Sequence, residues 1–409
     1  MGALSAEWIS FVPEADRWIV SVSIAFILSY VASALARKVG VSEMIGEITA
    51  GIILGLPVVK AGLLDDKSIS VIGSLGEIGA LLLLALAGLE IELDKIRRAT
   101  REGVAIATLS FILPFALGYL YAVHVGYDWK AAFIVGIVLG VTAEEITTKV
   151  YMELGVLNTR IGAVTLLAAV ADDVMEVIAL AMALALIEAG TLSGEALRMP
   201  VYAVAYLVLG LVVSKLLARL LPRVSIKGYE GLWFYAAVLL FYSALGAVFE
   251  LGPVIGAILG GFFLQYSITH SAKGAGEEHQ RVVEAIEAIV LGFLVPFFFL
   301  VVGLDFNVEY LLHNPVEIAV LTLIAFLGKI GGTVAAKPFT TLSLRQLWFI
   351  GWAMNARGTL GMILTLIALR YGLIDDKLYT AIIAMAMITT VTFPFVVREE
   401  YRRNPSIVE

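Results

Sequence analysis

The chain has 409 residues, 60% of them hydrophobic and only 15% charged, with a net charge of −7 and a mean hydropathy of +0.95. Soluble domains lie nearer half apolar and a quarter charged, so the composition argues against a soluble enzyme, a nucleic-acid binder and a disordered chain. The absence of cysteine removes disulfides, thiolate nucleophiles and Cys-ligated metals, and the acidic balance offers no basic surface to nucleic acid.

Apolar segments of spanning length, about 20 residues, follow one another along the chain. Thirteen are predicted, near residues 18–36, 44–60, 69–89, 103–124, 130–150, 161–188, 200–221, 231–249, 254–269, 285–303, 315–336, 345–370 and 377–397. Continuous runs of this kind predict helices; barrel strands would alternate apolar and polar residues over about ten. The fold class is therefore an all-α polytopic membrane protein. The stretch before Arg17, with Trp8 and Glu14, reads as interfacial, and no signal-peptide pattern is evident. The polar stretch 271–287 reads as a loop or surface helix. The tail after Val397 is too short to fold, so no soluble regulatory domain is expected.

Alternate loops carry 18 Lys/Arg, against seven on the other side. By the positive-inside bias, the first side is cytoplasmic, the N-terminus outside and the C-terminus inside. Lys149, Lys329 and Arg357 remain at or near membrane depth.

Self-comparison shows a repeat. Ile45-Gly46-x-Ile48-x-x-Gly51 recurs as Ile255-Gly256-x-Ile258-x-x-Gly261, and Gly88-Leu89-Glu90 as Gly303-Leu304-Asp305. Gly155-Val156-Leu157-Asn158 matches Gly372-Leu373-Ile374-Asp375, and at that same offset Asp172-Asp173 matches Thr389-Thr390. The second and ninth segments are an odd number apart and so run in opposite directions. Two six-helix inverted repeats joined by a linking seventh helix are expected, a signature of secondary transporters with a site near the midplane.

Ionisable groups at membrane depth cost roughly 2.5–3.5 kcal/mol each on insertion scales and are functional candidates by default. Asp172 and Asp173 sit mid-segment, about 100° apart around the helix, so both cannot face one partner. Glu176 follows one turn on. Lys329 needs an anion nearby, and one member of the aspartate pair is the expected partner. The fifth and twelfth segments, in matching repeat positions, both carry polar breaks: Gly140-Val141-Thr142-Ala143-Glu144-Glu145 and Asn355-Ala356-Arg357-Gly358-Thr359. Paired interruptions point to the site. Thr142 and unwound carbonyls offer hard oxygens to Na⁺ or Li⁺, while Arg357 and Glu144/Glu145 could neutralise opposing helix-end charges. Structural readings stand beside these: Lys329 as a pure helix tie, Arg357 as dipole neutralisation, Glu176 as a protonated hydrogen-bonding group, and Thr389/Thr390 as packing or backbone-bonded residues.

At these residues the chain resembles the monovalent cation:proton antiporter superfamily, in its second branch of NapA- and Kef-type exchangers. The matching stretches are SEMIGEITAGIILG (42–55), LLLLALAGLEIEL (81–93), VADDVMEVIALA (170–181), FFFLVVGLDF (297–306), NARGTLGMI (355–363) and ITTVTFPF (388–395). The resemblance implies a thirteen-helix homodimer of NhaA/NapA-like fold in a prokaryotic plasma membrane. It would have a dimerisation part (18–60 and 200–269) and a mobile core (69–188 and 285–397) working as an elevator, with the two broken helices crossing. It further implies that Asp173 is the main ion- and proton-carrying carboxylate, that Asp172 pairs with Lys329 in the ion-free state, and that Asp173, Asp172 and Thr142 hold Na⁺. No cofactor is expected beyond the transported Na⁺ or Li⁺ and H⁺, and no partners beyond lipid and a second copy. An Asp-Asp pair accompanies electrogenic Na⁺/H⁺ exchange in this family. The alternative is Kef-type K⁺/H⁺ exchange; a cation channel and an intramembrane aspartyl protease are weaker readings. The chain departs from the family at Thr359, where a Glu is usual, and at Glu144-Glu145, where small and hydroxyl residues are usual.

Overall fold

A computed structural model of the chain describes residue 13 and residues 16–90, 100–188, 198–221, 229–249, 251–271 and 277–408. Most of the predicted interfacial stretch before Arg17 lies outside the described residues, as do the loop charges within 91–99, 222–228 and 272–276. The regular structure described is helical throughout. Lipid offers no partner to a free N–H or C=O, so a spanning segment satisfies its backbone internally. Among the described residues, eight helices are long and apolar enough to cross a membrane, or nine if one bent pair is counted as a single span.

In chain order the helices are α1 (Arg17–Lys38), α2 (Glu43–Gly55), α3 (Pro57–Leu63), α4 (Asp66–Glu90), α5 (Arg101–Val125) and α6 (Trp129–Gly140). Then come α7 (Glu144–Glu153), α8 (Arg160–Glu188), α9 (Arg198–Leu220), α10 (Tyr229–Val248), α11 (Gly252–Thr269) and α12 (Glu277–Ile289). A π turn at Val290–Leu294 carries α12 into α13 (Val295–Leu304). The last are α14 (Val308–His313), α15 (Pro315–Ala335), α16 (Leu344–Ala353), α17 (Thr359–Arg370) and α18 (Asp376–Arg403). The predicted segments near 44–60, 130–150 and 345–370 are each two helices. In the first, α2 and α3 meet at an angle of 80°, because Pro57 at the first position of α3 cannot donate an N–H to the helix before it.

The chain forms two compact units, one of Met1–Asp65, Leu93–Leu180 and Val302–Glu409, the other of Asp66–Glu92 and Ala181–Val301. In the first, α1 and α2 form a hairpin, and α5 packs on both α6 and α15. α16, α17 and α18 close around α15 and α6. Polar caps fix the starts of these helices: Asp128 accepts from the Ala131 N–H, Asp375 from the Leu378 N–H, and Ser343 with Gln346 forms a capping box. The stops are equally specific. Gly155 (φ +69°) and Gly372 (φ +67°), matched in the sequence repeat, end α7 and α17 in the left-handed conformation that glycine adopts without strain. Tyr151 of α7 stacks on Phe349 of α16, ring centroids 5.8 Å apart, inside an apolar cluster with Ile161, Ile350 and Phe393. Just past α13, Arg370 of α17 pairs with Asp305 at 2.5 Å. Burial pushes the Asp305 carboxyl above its usual range, and Arg370 opposes that shift.

In the second unit, α11 packs on α4, α9 and α10. Tyr206 of α9 is buried and donates to the carbonyls of Tyr242 (3.3 Å) and Gly256 (3.2 Å).

Two close approaches use glycines of the sequence repeat. In the first unit, Gly303 leaves no space for a Cβ beside the Ile48 carbonyl of α2; in the second, Gly88 leaves none beside the Ile258 carbonyl of α11. Membrane helices gain their association from such backbone contact, since lipid is as apolar as their side chains. Gly303→Ala should therefore lower stability by about 1–3 kcal/mol through overpacking, read as a fall in melting temperature in detergent. Gly73→Ala, on α4 with nothing within 4 Å of its added Cβ, should leave the melting temperature unchanged or slightly raised.

Candidate functional site

Both predicted breaks are real interruptions, and they meet. α6 stops at Gly140 and α7 starts at Glu144; α16 stops at Ala353 and α17 starts at Thr359. Between them the Ala143 N–H donates to the Ala356 carbonyl at 2.9 Å, and the Thr147 hydroxyl donates to the Ala353 carbonyl at 2.6 Å. Broken helices leave backbone groups without intrahelical partners, and here each break satisfies part of the other.

Two cations take up carbonyls left at the end of α6. The Lys329 ammonium, on α15 and wholly buried, donates to the Gly140 carbonyl at 2.5 Å and lies 3.4 Å from Asp172 Oδ2. Arg357, also buried, donates through Nη1 to the Val141 carbonyl (2.9 Å) and through Nη2 to the Ala325 carbonyl of α15 (3.2 Å). Positive charge at a helix C-terminus meets its partial negative charge, so both side chains are placed where the backbone favours them. Thr390 of α18 fixes Arg357 from behind: its hydroxyl accepts from the Arg357 N–H at 3.0 Å and lies 3.4 Å from the Arg357 carbonyl.

Asp172, on α8, is 1% exposed. Its Oδ2 accepts from the Thr142 hydroxyl at 2.5 Å as well as facing Lys329. Its Oδ1 has no hydrogen-bond partner among the described residues, which leaves oxygen lone pairs open at the crossing. Glu176, one turn on, is buried and within electrostatic reach of both Lys329 and Arg357. Glu144 is the first residue of α7, where a carboxylate meets the positive end of that helix.

The structure thus brings Thr142, Asp172, Glu176, Lys329 and Arg357 together, with Glu144 at the start of α7. The side chains of Asp173 and Glu145 lie outside the described residues, although both stand on described helices. Lys149 is exposed on α7 and takes no part. Sequence reasoning did not find the Gly140 carbonyl, which is nearer to the Lys329 ammonium than Asp172 is. The signal was present: Gly140 precedes the break, and a terminal carbonyl there needs a donor. Nor did it find Ala325, whose carbonyl is open to Arg357 only because α15 passes the crossing.

The family profile described as "Sodium/hydrogen exchanger, transmembrane" matches residues 22–398. Similar proteins include a Na⁺/H⁺ antiporter of Enterococcus hirae, 27% identical over 376 residues and covering 90% of this chain and 94% of that one. The Na⁺/H⁺-K⁺ antiporter GerN of Bacillus cereus is 25% identical, covering 91% and 93% of the two chains. Among solved structures, the sodium proton antiporter MjNhaP1 of Methanocaldococcus jannaschii has a similar fold, with a TM-score of 0.71 and 15% identity over 95% of this chain and 98% of that one. With the matched family spanning nearly the whole chain, this protein belongs to the transmembrane sodium/hydrogen exchangers, multi-pass cation/proton antiporters and not enzymes.

Proposed function

We propose that the chain exchanges Na⁺ or Li⁺ for H⁺, electrogenically, by alternating access of one site at the crossing of the broken helices. The observation that carries this reading is the buried Asp172, held between the Thr142 hydroxyl and the Lys329 ammonium with one carboxylate oxygen open. Asp173, next to it on α8, is the main carrier: protonated it holds no cation, and on releasing its proton it becomes the carboxylate that takes Na⁺ from the same side. Cation binding draws Asp172 from Lys329 and frees a second titratable group, so the cluster titrates as a unit.

In this reading the chain has thirteen spans in two inverted repeats. Residues 18–60 and 200–269 form the scaffold of a homodimer, and residues 69–188 and 285–397 form the core that moves as an elevator. The protein sits in a prokaryotic plasma membrane with its N-terminus outside and its C-terminus in the cytoplasm. K⁺/H⁺ exchange is the second reading, favoured by the Na⁺/H⁺-K⁺ antiporter among the similar proteins.

Proteoliposomes with a trapped pH dye test both. Addition of Na⁺ or Li⁺ should dissipate an imposed pH gradient, with K⁺ far less effective, and Asp173→Asn should abolish the response. Proton flux indifferent to Na⁺, Li⁺ and K⁺ alike would falsify exchange altogether. A response to K⁺ alone would select the second reading.

A further inference from the structure

The residues after Val397, too few to fold by themselves, fold back onto the helices before them. α18 runs on to Arg403, and Pro405, which cannot continue a helix, opens a 3₁₀ turn over Pro405–Val408. The Ser406 hydroxyl donates to the Asn404 side chain at 2.8 Å, and the Ile407 N–H donates to the Asn404 carbonyl at 3.1 Å. The turn so formed lies against α16 and α18. Ile407 and Val408 are each 7% exposed. They join the apolar cluster that holds Tyr151 of α7, Phe349 and Ile350 of α16 and Phe393 of α18, and that reaches Ala143 and Ala356 in the two breaks. A little before the turn, Arg398 of α18 pairs at 2.8 Å with Glu153, the last residue of α7.

α7 and α16 have 10 residues each, and helices that short are marginal without tertiary packing. One stretch of chain, 398–408, touches both. The Arg398–Glu153 pair is partly exposed, and ion pairs in that setting contribute little, so the weight of the contact falls on the two buried aliphatic side chains. From α16 the path to the site is short. Ala353 accepts from Thr147, Ala356 accepts from Ala143, and Thr142, next in the chain, donates to Asp172.

We propose that Ile407 and Val408 are positioning residues for cation binding, a role that rests on the reading of the chain as an exchanger. They brace α16 against α7 and α18, and so hold the crossing in the geometry that takes the cation without touching the cation themselves. A site whose walls are already ordered binds more tightly than one that has to be ordered at each binding event. Loosening the brace therefore weakens affinity for the cation and leaves the maximal rate of exchange nearly unchanged.

The test uses the full chain in proteoliposomes with a trapped pH dye. Ile407→Ser/Val408→Ser should raise the apparent KM for Na⁺, or for K⁺ if that is the ion the unaltered chain exchanges, about three- to tenfold. The exchanged pair Ile407→Val/Val408→Ile keeps the summed apolar volume and should keep the KM of the unaltered chain. A KM unmoved in the serine variant, or moved as far in the exchanged pair, overturns the proposal. So does a fall in maximal rate alone, which a smaller folded fraction would give. Hydrogen exchange on the same proteins in detergent supplies a readout free of transport. Amides of α7 and α16 should exchange faster in the serine variant, with those of α1 unchanged; equal rates in α7 and α16 overturn the brace. If the serine variant does not fold, Ile407→Ala takes its place in both measurements. Absence of exchange in the unaltered chain removes the exchanger reading itself, and hydrogen exchange then decides the brace alone.

Discussion

Lys329→Met should lower the stability of the purified protein by about 3–5 kcal/mol, the typical effect of removing one partner from a buried ion pair. The reason lies in what is left behind. Asp172 keeps its Thr142 hydrogen bond but loses its counter-charge while 1% exposed. The Gly140 carbonyl loses its 2.5 Å donor at the end of α6. Met matches the length of the lysine stem, so the buried volume is largely kept and the loss is electrostatic. Asp172→Asn in the same chain should restore much of it, because the double variant contains no orphaned charge. The residue not recovered belongs to the Gly140 carbonyl. Thermal melting of the wild type, both single variants and the double variant gives the coupling directly. Additivity of the two single effects would mean that the ion pair at 3.4 Å does no structural work.

Arg357→Lys should destabilise the protein by roughly half as much as Arg357→Met does. The guanidinium spans two elements at once, with one nitrogen on Val141 in the α6–α7 break and another on Ala325 of α15. An ammonium is a point charge without that planar fork, and can serve one carbonyl but not both. Hydrogen bonds involving a charged group contribute about 1.5–3 kcal/mol each. Lysine should thus lose about 2 kcal/mol and methionine about 3–5 kcal/mol. Transport should fall in both, since the two breaks are tied by the Ala143–Ala356 bond immediately beside Arg357. Melting curves and dye-reported exchange on the same preparations check this; a lysine variant with full stability and full exchange would show that charge alone is required.

Much of this architecture was legible because lipid restricts the backbone so severely. A long apolar run in a membrane chain has to be a helix, and polar interruptions such as 140–145 and 355–359 stand out against that background. Lys329 was visible for the same reason, as a charge that an apolar run should not contain. What was not legible depends on which helix passes which. The acceptors of Lys329 and Arg357 include the backbone carbonyls of Gly140, Val141 and Ala325, and a carbonyl has no letter in the sequence. Thr390 was read as packing or backbone-bonded; its bond turns out to hold the Arg357 backbone at the break. The 80° turn between α2 and α3 was signalled by Pro57, but hydropathy ran smoothly across it and joined the two.

The lengths of the interrupted helices carry an electrical consequence. α6 and α17 have 12 residues each, about 18 Å of helix, against a hydrocarbon thickness of about 30 Å. Neither is long enough to cross alone, and a helix of that length starting at one face would end about 18 Å in. A unit charge carried through the whole membrane exchanges about 2.3 kcal/mol with each 100 mV of potential. A charge that reaches the crossing from either side has therefore exchanged only about half of that. On the proposed exchange cycle, a few residues of unwound backbone would divide the membrane voltage into two comparable drops, and neither step would work against the whole of it.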